Sequence, residues 1–101
     1  MYLKRLEEIK NEYNLNDNIF LIAQEFIQVI NQNDLIPTRI TDLHEEGYAF
    51  KFIKNKNIEV WFEIYNDGDY GYIAFDKENN YKVIINEDIL EFNYFIKFMK
   101  T

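Results

Sequence analysis

Apolar residues along this chain follow two different periods. From Tyr2 to Tyr13, Leu3, Leu6, Ile9 and Tyr13 recur near helical spacing, with Lys4, Glu7, Glu8 and Lys10 elsewhere on the wheel. Asn14 and Asn16 interrupt this pattern, and Asn16 or Asp17 supplies an N-cap for a second helix. Ile19, Phe20, Ile22, Ala23, Phe26, Ile27 and Ile30 form its broad apolar stripe, wide enough to meet both a sheet and the first helix. The run Asn31-Gln32-Asn33-Asp34 stops that helix, and Pro37 prevents it from continuing.

Beyond Pro37 the period becomes two. Gly47 opens a strand over Tyr48–Lys54, and further strands are predicted at Ile58–Tyr65, Tyr70–Asp76 and Tyr81–Ile85. Asn86 then reads as the cap of a last helix, with Glu87 and Asp88 in its first turn and Ile89, Leu90, Phe92, Phe95, Ile96 and Met99 on its apolar side. The order predicts a single α+β domain over residues 1–101: two N-terminal helices, a four-stranded antiparallel meander and a C-terminal helix, with the helices mainly on one sheet face.

Parity assigns directions to the sheet residues. In Ile58–Tyr65, the aliphatic and Phe positions Ile58, Val60, Phe62 and Ile64 should face the helices. Glu59, Trp61, Glu63 and Tyr65 should face away. A two-residue Asp67-Gly68 turn of type I′ pairs Asn66 with Asp69 and sets Phe62 opposite Ile73 and Val60 opposite Phe75. In that register Tyr70, Tyr72 and Ala74 point outward, and Ile73 and Phe75 enter the core. An odd loop at Asn55-Lys56-Asn57 puts Tyr48, Phe50 and Phe52 inside, with Ala49, Lys51 and Ile53 outside.

Composition removes many chemistries. The sequence contains neither Cys nor Ser, and His44 is its one histidine. Thiolate and serine nucleophiles, Cys-based zinc sites and multi-histidine metal centres are thereby excluded. No Gly-rich phosphate loop is present. No apolar run is long enough to span a membrane, and the charged start MYLKRLEEIKNEY is unlike a signal peptide, so the expected location is the cytoplasm. The net charge of −7 argues against direct nucleic acid binding and against an anionic membrane surface; it suits a protein partner with a basic surface.

Three acidic groupings have the residue types of a site. Asn66, Asp67, Asp69, Asp76 and Glu78 lack the spacing of a calcium loop, since Gly68 falls too early, and the turn explains them. Among Glu59, Glu63 and Asp76, the two glutamates lie about 13 Å apart by strand rise, too far for a cooperating pair, and Glu59 with Asp76 is closer but well solvated on an open sheet face. His44, flanked by Asp42, Glu45 and Glu46, has no nucleophile or metal partner in view and reads as a surface loop residue. No metal and no cofactor is expected.

The remaining set is Trp61, Tyr65, Tyr70 and Tyr72, with Glu59, Glu63, Asp67, Asp69 and Asp76 around them. Trp and Tyr are favoured anchors at protein interfaces, and carboxylates speed association with a basic partner. The bland alternative is tyrosine pairs that stabilise the sheet, or a face covered by another element. The leading expectation is a non-enzymatic protein-binding module of the inhibitor or neutralising kind. One alternative is a small ligand-binding domain or enzyme with a pocket between helices and sheet, using Tyr48, His44 and Glu46. Another is a DNA-mimicking inhibitor.

Pro37, the stretch Gly47-Tyr48-Ala49-Phe50-Lys51-Phe52 and the stretch Val60-Trp61-Phe62-Glu63-Ile64-Tyr65-Asn66-Asp67-Gly68 resemble a small uncharacterised bacterial α+β domain. That domain has a Pro before its sheet, a Gly followed by alternating apolar residues, and an apolar-Glu-apolar strand before an Asp-Gly turn. It often carries Trp on the first of these strands, where this chain has Phe52. The resemblance implies no catalytic residue. By class of size, acidity and fold, the chain is also similar to antitoxins, toxin-immunity proteins and phage anti-defence inhibitors.

Overall fold

A computed structural model describes residues 2–80, 82–88 and 92–101, with residues 82–88 described through their backbone. Helix α1 (Tyr2–Tyr13) is followed by α2 (Asp17–Gln32), strands β1 (Arg39–Asp42), β2 (Gly47–Asn55), β3 (Ile58–Tyr65) and β4 (Tyr70–Asp76), a short 3-10 turn (Lys77–Asn79), β5 (Lys82–Asp88) and α3 (Phe92–Lys100). The α+β class and the helix, helix, meander, helix order are as the periodicity predicts.

Local chemistry explains the boundaries. Asn16 caps α2: its side chain accepts the Ile19 N–H at 2.9 Å, while its amide donates to Asn66 Oδ1 at 2.8 Å. The cap therefore also ties α2 to the β3–β4 turn. The helix ends at Asn33, and Asp34 then takes a positive φ of 57°.

The strands form one antiparallel sheet in the order β1-β2-β3-β4-β5. Two differences from the sequence reading lie at its ends. β1 is an additional strand, pairing Ile40 with Phe50 and Asp42 with Tyr48. Its four residues carry one apolar side chain, Ile40, so no alternation announces it. At the other end, residues 86–88 extend β5 rather than capping and opening the last helix. Asn86 and Asp88 pair with Ile73 and Gly71 of β4. Cross-strand backbone bonds there take precedence over a local capping signal. The expected positions Tyr81, Ile89 and Leu90 lie outside the described residues.

All three helices pack on one face of the sheet. Leu6 and Ile9 of α1, Ile19, Ala23, Phe26 and Ile30 of α2, and Phe95 of α3 join Tyr48, Phe50, Phe52, Val60, Phe62 and Ile64 in a single buried cluster. Phe26 is its centre, stacked on Phe62 at 4.0 Å and packed edge-on against Phe50 at 4.9 Å. The β2 and β3 parities agree with the sequence: Phe52 pairs with Val60, Phe50 with Phe62 and Tyr48 with Ile64. The odd offset arises from a register shift between Ile53 and Asn55, not from a three-residue loop.

The β3–β4 register is one residue away from expectation. Ile64 pairs with Tyr70, Phe62 with Tyr72, Trp61 with Ile73, Val60 with Ala74 and Glu59 with Phe75. Within the turn Gly68 alone has a positive φ, 95°, whereas a type I′ turn also needs one at Asp67. The Tyr65 N–H donates to the Asp69 carbonyl and the Gly68 N–H to the Tyr65 carbonyl, each at 2.8 Å. These bonds close a three-residue loop, Asn66-Asp67-Gly68. One residue of slip reverses every side chain of β4. Tyr70, Tyr72 and Ala74 therefore face the helices, and Ile73 and Phe75 face away from them.

The slip is favoured because α3 offers the tyrosines a surface. The Tyr72 ring lies 5.7 Å from Phe95 and 5.3 Å from Phe98, and the Tyr70 ring 4.9 Å from Phe92. Both faces of β4 carry apolar residues, so its own alternation does not choose between the two registers.

Candidate protein-docking face

On the face turned away from the helices, β2 contributes Ala49, Lys51 and Ile53, β3 contributes Glu59, Trp61, Glu63 and Tyr65, and β4 contributes Ile73 and Phe75. β1 adds Thr41, the partner of Ala49. Of the expected binding residues, the structure thus keeps Glu59, Trp61, Glu63 and Tyr65 together on this surface. Tyr70 and Tyr72 do not belong to it; Tyr72 is 4% exposed and lies in the core. Ile73 and Phe75 take their place beside Trp61.

The acidic residues divide by environment. Glu59 is partly buried on this face: its Oε1 accepts the Trp61 indole N–H at 3.1 Å and lies 3.2 Å from Lys51 Nζ. Lys51 also sits 5.9 Å from the centre of the Trp61 ring. This trio fixes the indole against the sheet. Glu63 accepts the Tyr65 hydroxyl at 2.6 Å, and among the described residues no cation pairs with it. Asp67 accepts the Asp69 N–H at 3.0 Å and shapes the turn, and both residues are exposed. Asp76 leaves the expected binding set for a structural role. Its carboxylate accepts the Glu78 N–H at 3.0 Å and the Asn79 amide at 2.6 Å, capping the 3-10 turn.

Two hollows are bordered in part by residues of this face. Thr41, Asp42, Leu43, Ala49, Trp61, Glu63, Ile73 and Phe75 border an open concavity of ≈ 350 Å³. A second, of ≈ 360 Å³, is bordered by Glu45, Glu46, Tyr65, Asn66 and Asp67. The sequence reading found Trp61 and Glu63 but missed Thr41 and Leu43, which enter through the unforeseen edge strand and the loop after it.

The alternative trio Tyr48, His44 and Glu46 does not converge. Tyr48 is fully buried on the helix side, and its hydroxyl has no hydrogen-bond partner among the described residues. Burial pushes that phenol up to about 12. Glu46 is exposed on the β1–β2 loop. His44 is exposed there too, with a φ of 57°. Its N–H donates to Asp42 Oδ1 at 2.9 Å, which holds the Asp42 carboxyl below its ordinary value. The His44 ring meets Tyr13 edge-on at 5.6 Å, linking the loop to α1.

Among the described residues no group of three or more acidic or histidine side chains is placed to hold a metal. None of the described helices is long and apolar enough to cross a membrane. Comparison with protein-family models, curated proteins and solved structures finds no match.

Proposed function

We propose that this chain is a non-enzymatic protein-binding module, an acidic inhibitor or neutralising partner that docks through the open face of its sheet. The observation that carries this reading is the placement of Trp61, Ile73 and Phe75 around one concavity on the sheet face that the helices leave uncovered. An aromatic and aliphatic hollow of this kind supplies anchor area, while the acidic surroundings select a basic partner and speed its approach. The likeness of class to antitoxins, immunity proteins and anti-defence inhibitors fits the same role.

The face is also prepared for binding. Trp61 is already restrained by Glu59 and Lys51, so docking loses less side-chain entropy than it would with a free indole. The ligand-pocket alternative draws no support from the interior, where stacked rings fill the space between helices and sheet.

Oxidative side-chain footprinting of the chain alone and with a captured partner tests the reading. Trp61, Ile73 and Phe75 should be protected in the complex, while Leu21 and Tyr94 on the exposed helix surfaces (57% and 58% accessible) stay reactive. Protection at Leu21 or Tyr94 with Trp61 unchanged would reject the sheet face.

A further inference from the structure

The two hollows share their bordering segments, the β1–β2 loop and β3, and together make a tract of two parts. The β1–β2 loop walls both, with Leu43 at the first and Glu45 and Glu46 at the second. β3 forms the opposite border of both, with Trp61 and Glu63 at the first and Tyr65 at the second. The Tyr65 hydroxyl bonds Glu63 across the junction. The apolar share falls from one hollow to the other. The Trp61 end has Leu43, Ala49, Ile73 and Phe75 beside Thr41, Asp42 and Glu63, whereas the Tyr65 end carries Glu45, Glu46, Asn66 and Asp67 with no aliphatic residue.

Charge is unbalanced in the same direction. Glu59, beyond the apolar end, is neutralised by Lys51. Glu45, Glu46, Glu63 and Asp67 belong to none of the ion pairs found among the described residues. A carboxylate offers about four lone-pair sites, so Glu63 retains accepting capacity after the Tyr65 bond. Each hollow lies at the small end of ligand sites, which run from about 300 to 1,000 Å³. That suits one or two side chains rather than a whole cofactor.

We infer that the tract receives a single polypeptide segment of the partner, presenting a bulky apolar side chain and a Lys or Arg side chain roughly 13 Å apart. The spacing follows from the four strand steps between Trp61 and Tyr65 at about 3.3 Å each. In an extended segment it corresponds to about four residues. The apolar group fills the hollow beside Trp61, the cation meets the Glu45, Glu46 and Asp67 carboxylates, and Glu63 lies between the two and adds to the field that holds the cation. The inference rests on the protein-binding reading above and specifies its ligand.

The test is selection of linear twelve-residue peptides, without Trp, on the immobilised full chain. Affinities are then read by the fluorescence of Trp61, the one tryptophan in the sequence. Enriched peptides should pair an apolar residue with Lys or Arg at the stated spacing. Replacing that cation with citrulline or norleucine should weaken binding about tenfold or more. Glu63→Gln, and the triple change Glu45→Gln, Glu46→Gln, Asp67→Asn, should do the same by calorimetry. Trp61→Phe, which keeps a ring at the site, guards against unfolding by Trp61→Ala.

Enriched peptides that depend on Trp61 but lack a basic residue overturn this inference and leave the docking reading standing. Peptides indifferent to Trp61 overturn both. Failure to enrich any peptide, or a concentration-dependent dimer abolished by Trp61→Ala, overturns the segment model in favour of a broad partner or a second copy.

Discussion

Replacing Tyr72 with Ala discriminates most sharply between the two possible registers of β4. Tyr72 is 4% exposed and packs on Phe95 and Phe98 of α3 at 5.7 and 5.3 Å. Truncating a buried ring to Ala costs about 3–5 kcal/mol through lost transfer energy and the cavity left behind. Domain stabilities are about 5–15 kcal/mol, so this is a large share of the total. At roughly 4–8 °C per kcal/mol, Tm should fall by about 12–40 °C. Phe75 is the control: it is half-buried on the open face, so Phe75→Ala should cost only about 1–1.5 kcal/mol. Urea unfolding followed by circular dichroism measures both, with the m-value unchanged if the denatured state is unaffected. A reversed order, with Phe75→Ala the costlier change, would refute the three-residue turn and restore the register that puts the tyrosines outside.

Two further outcomes follow from the backbone and the core. Gly47 has a φ of 146°, and a Cβ there would collide with the Ile64 carbonyl oxygen. Gly47→Ala should therefore destabilise by at least about 1–3 kcal/mol, a Tm loss of roughly 5–20 °C on thermal melting. Tyr48→Phe removes a buried hydroxyl that has no partner among the described residues and should be neutral or stabilising by up to about 2 kcal/mol. The native Tyr48 phenol titrates near 12 against an ordinary 10.0. The unfolded chain loses this proton first as pH rises, so the contribution to stability is intact below pH 10 and declines through pH 12. Up to roughly 1.4 kcal/mol should be lost per pH unit in that window, and denaturant midpoints for Tyr48→Phe should lack this alkaline component.

The clearest sequence signals were those in which one face was apolar and the other was not. Phe50, Phe52, Val60, Phe62 and Ile64 alternate with Ala49, Lys51, Glu59, Trp61, Glu63 and Tyr65, a set that is largely charged or amphipathic, and the structure buries all five of the former. β4 has no such contrast: Tyr70, Tyr72 and Ala74 alternate with Gly71, Ile73 and Phe75. An Asp-Gly pair suits a two-residue or a three-residue loop, and the decision came from α3, whose rings receive the tyrosines. β1 escaped notice because Arg39, Thr41 and Asp42 are polar and the strand is held chiefly by its pairing with β2. The capping signal at Asn86 lost to backbone pairing with β4, a long-range effect that no local pattern carries. For the candidate face, Trp61, Glu63 and Tyr65 were legible from parity alone. The hollow was not, because Thr41, Leu43, Ile73 and Phe75 reach it through a hidden strand, its loop and the slipped register. The Lys51–Glu59 pair is a cross-strand diagonal contact, visible once β2 and β3 are aligned.

The central claim is that the open sheet face binds a protein. Its most direct measurement is the equilibrium affinity of a captured partner for the wild type and for folded Trp61→Ala and Leu21→Ala chains. Loss of an interface anchor should weaken binding by about 2 kcal/mol or more, roughly thirtyfold, for Trp61→Ala. Leu21→Ala, on the exposed surface of α2, should bind like the wild type. Undiminished affinity in a folded Trp61→Ala chain would contradict the account.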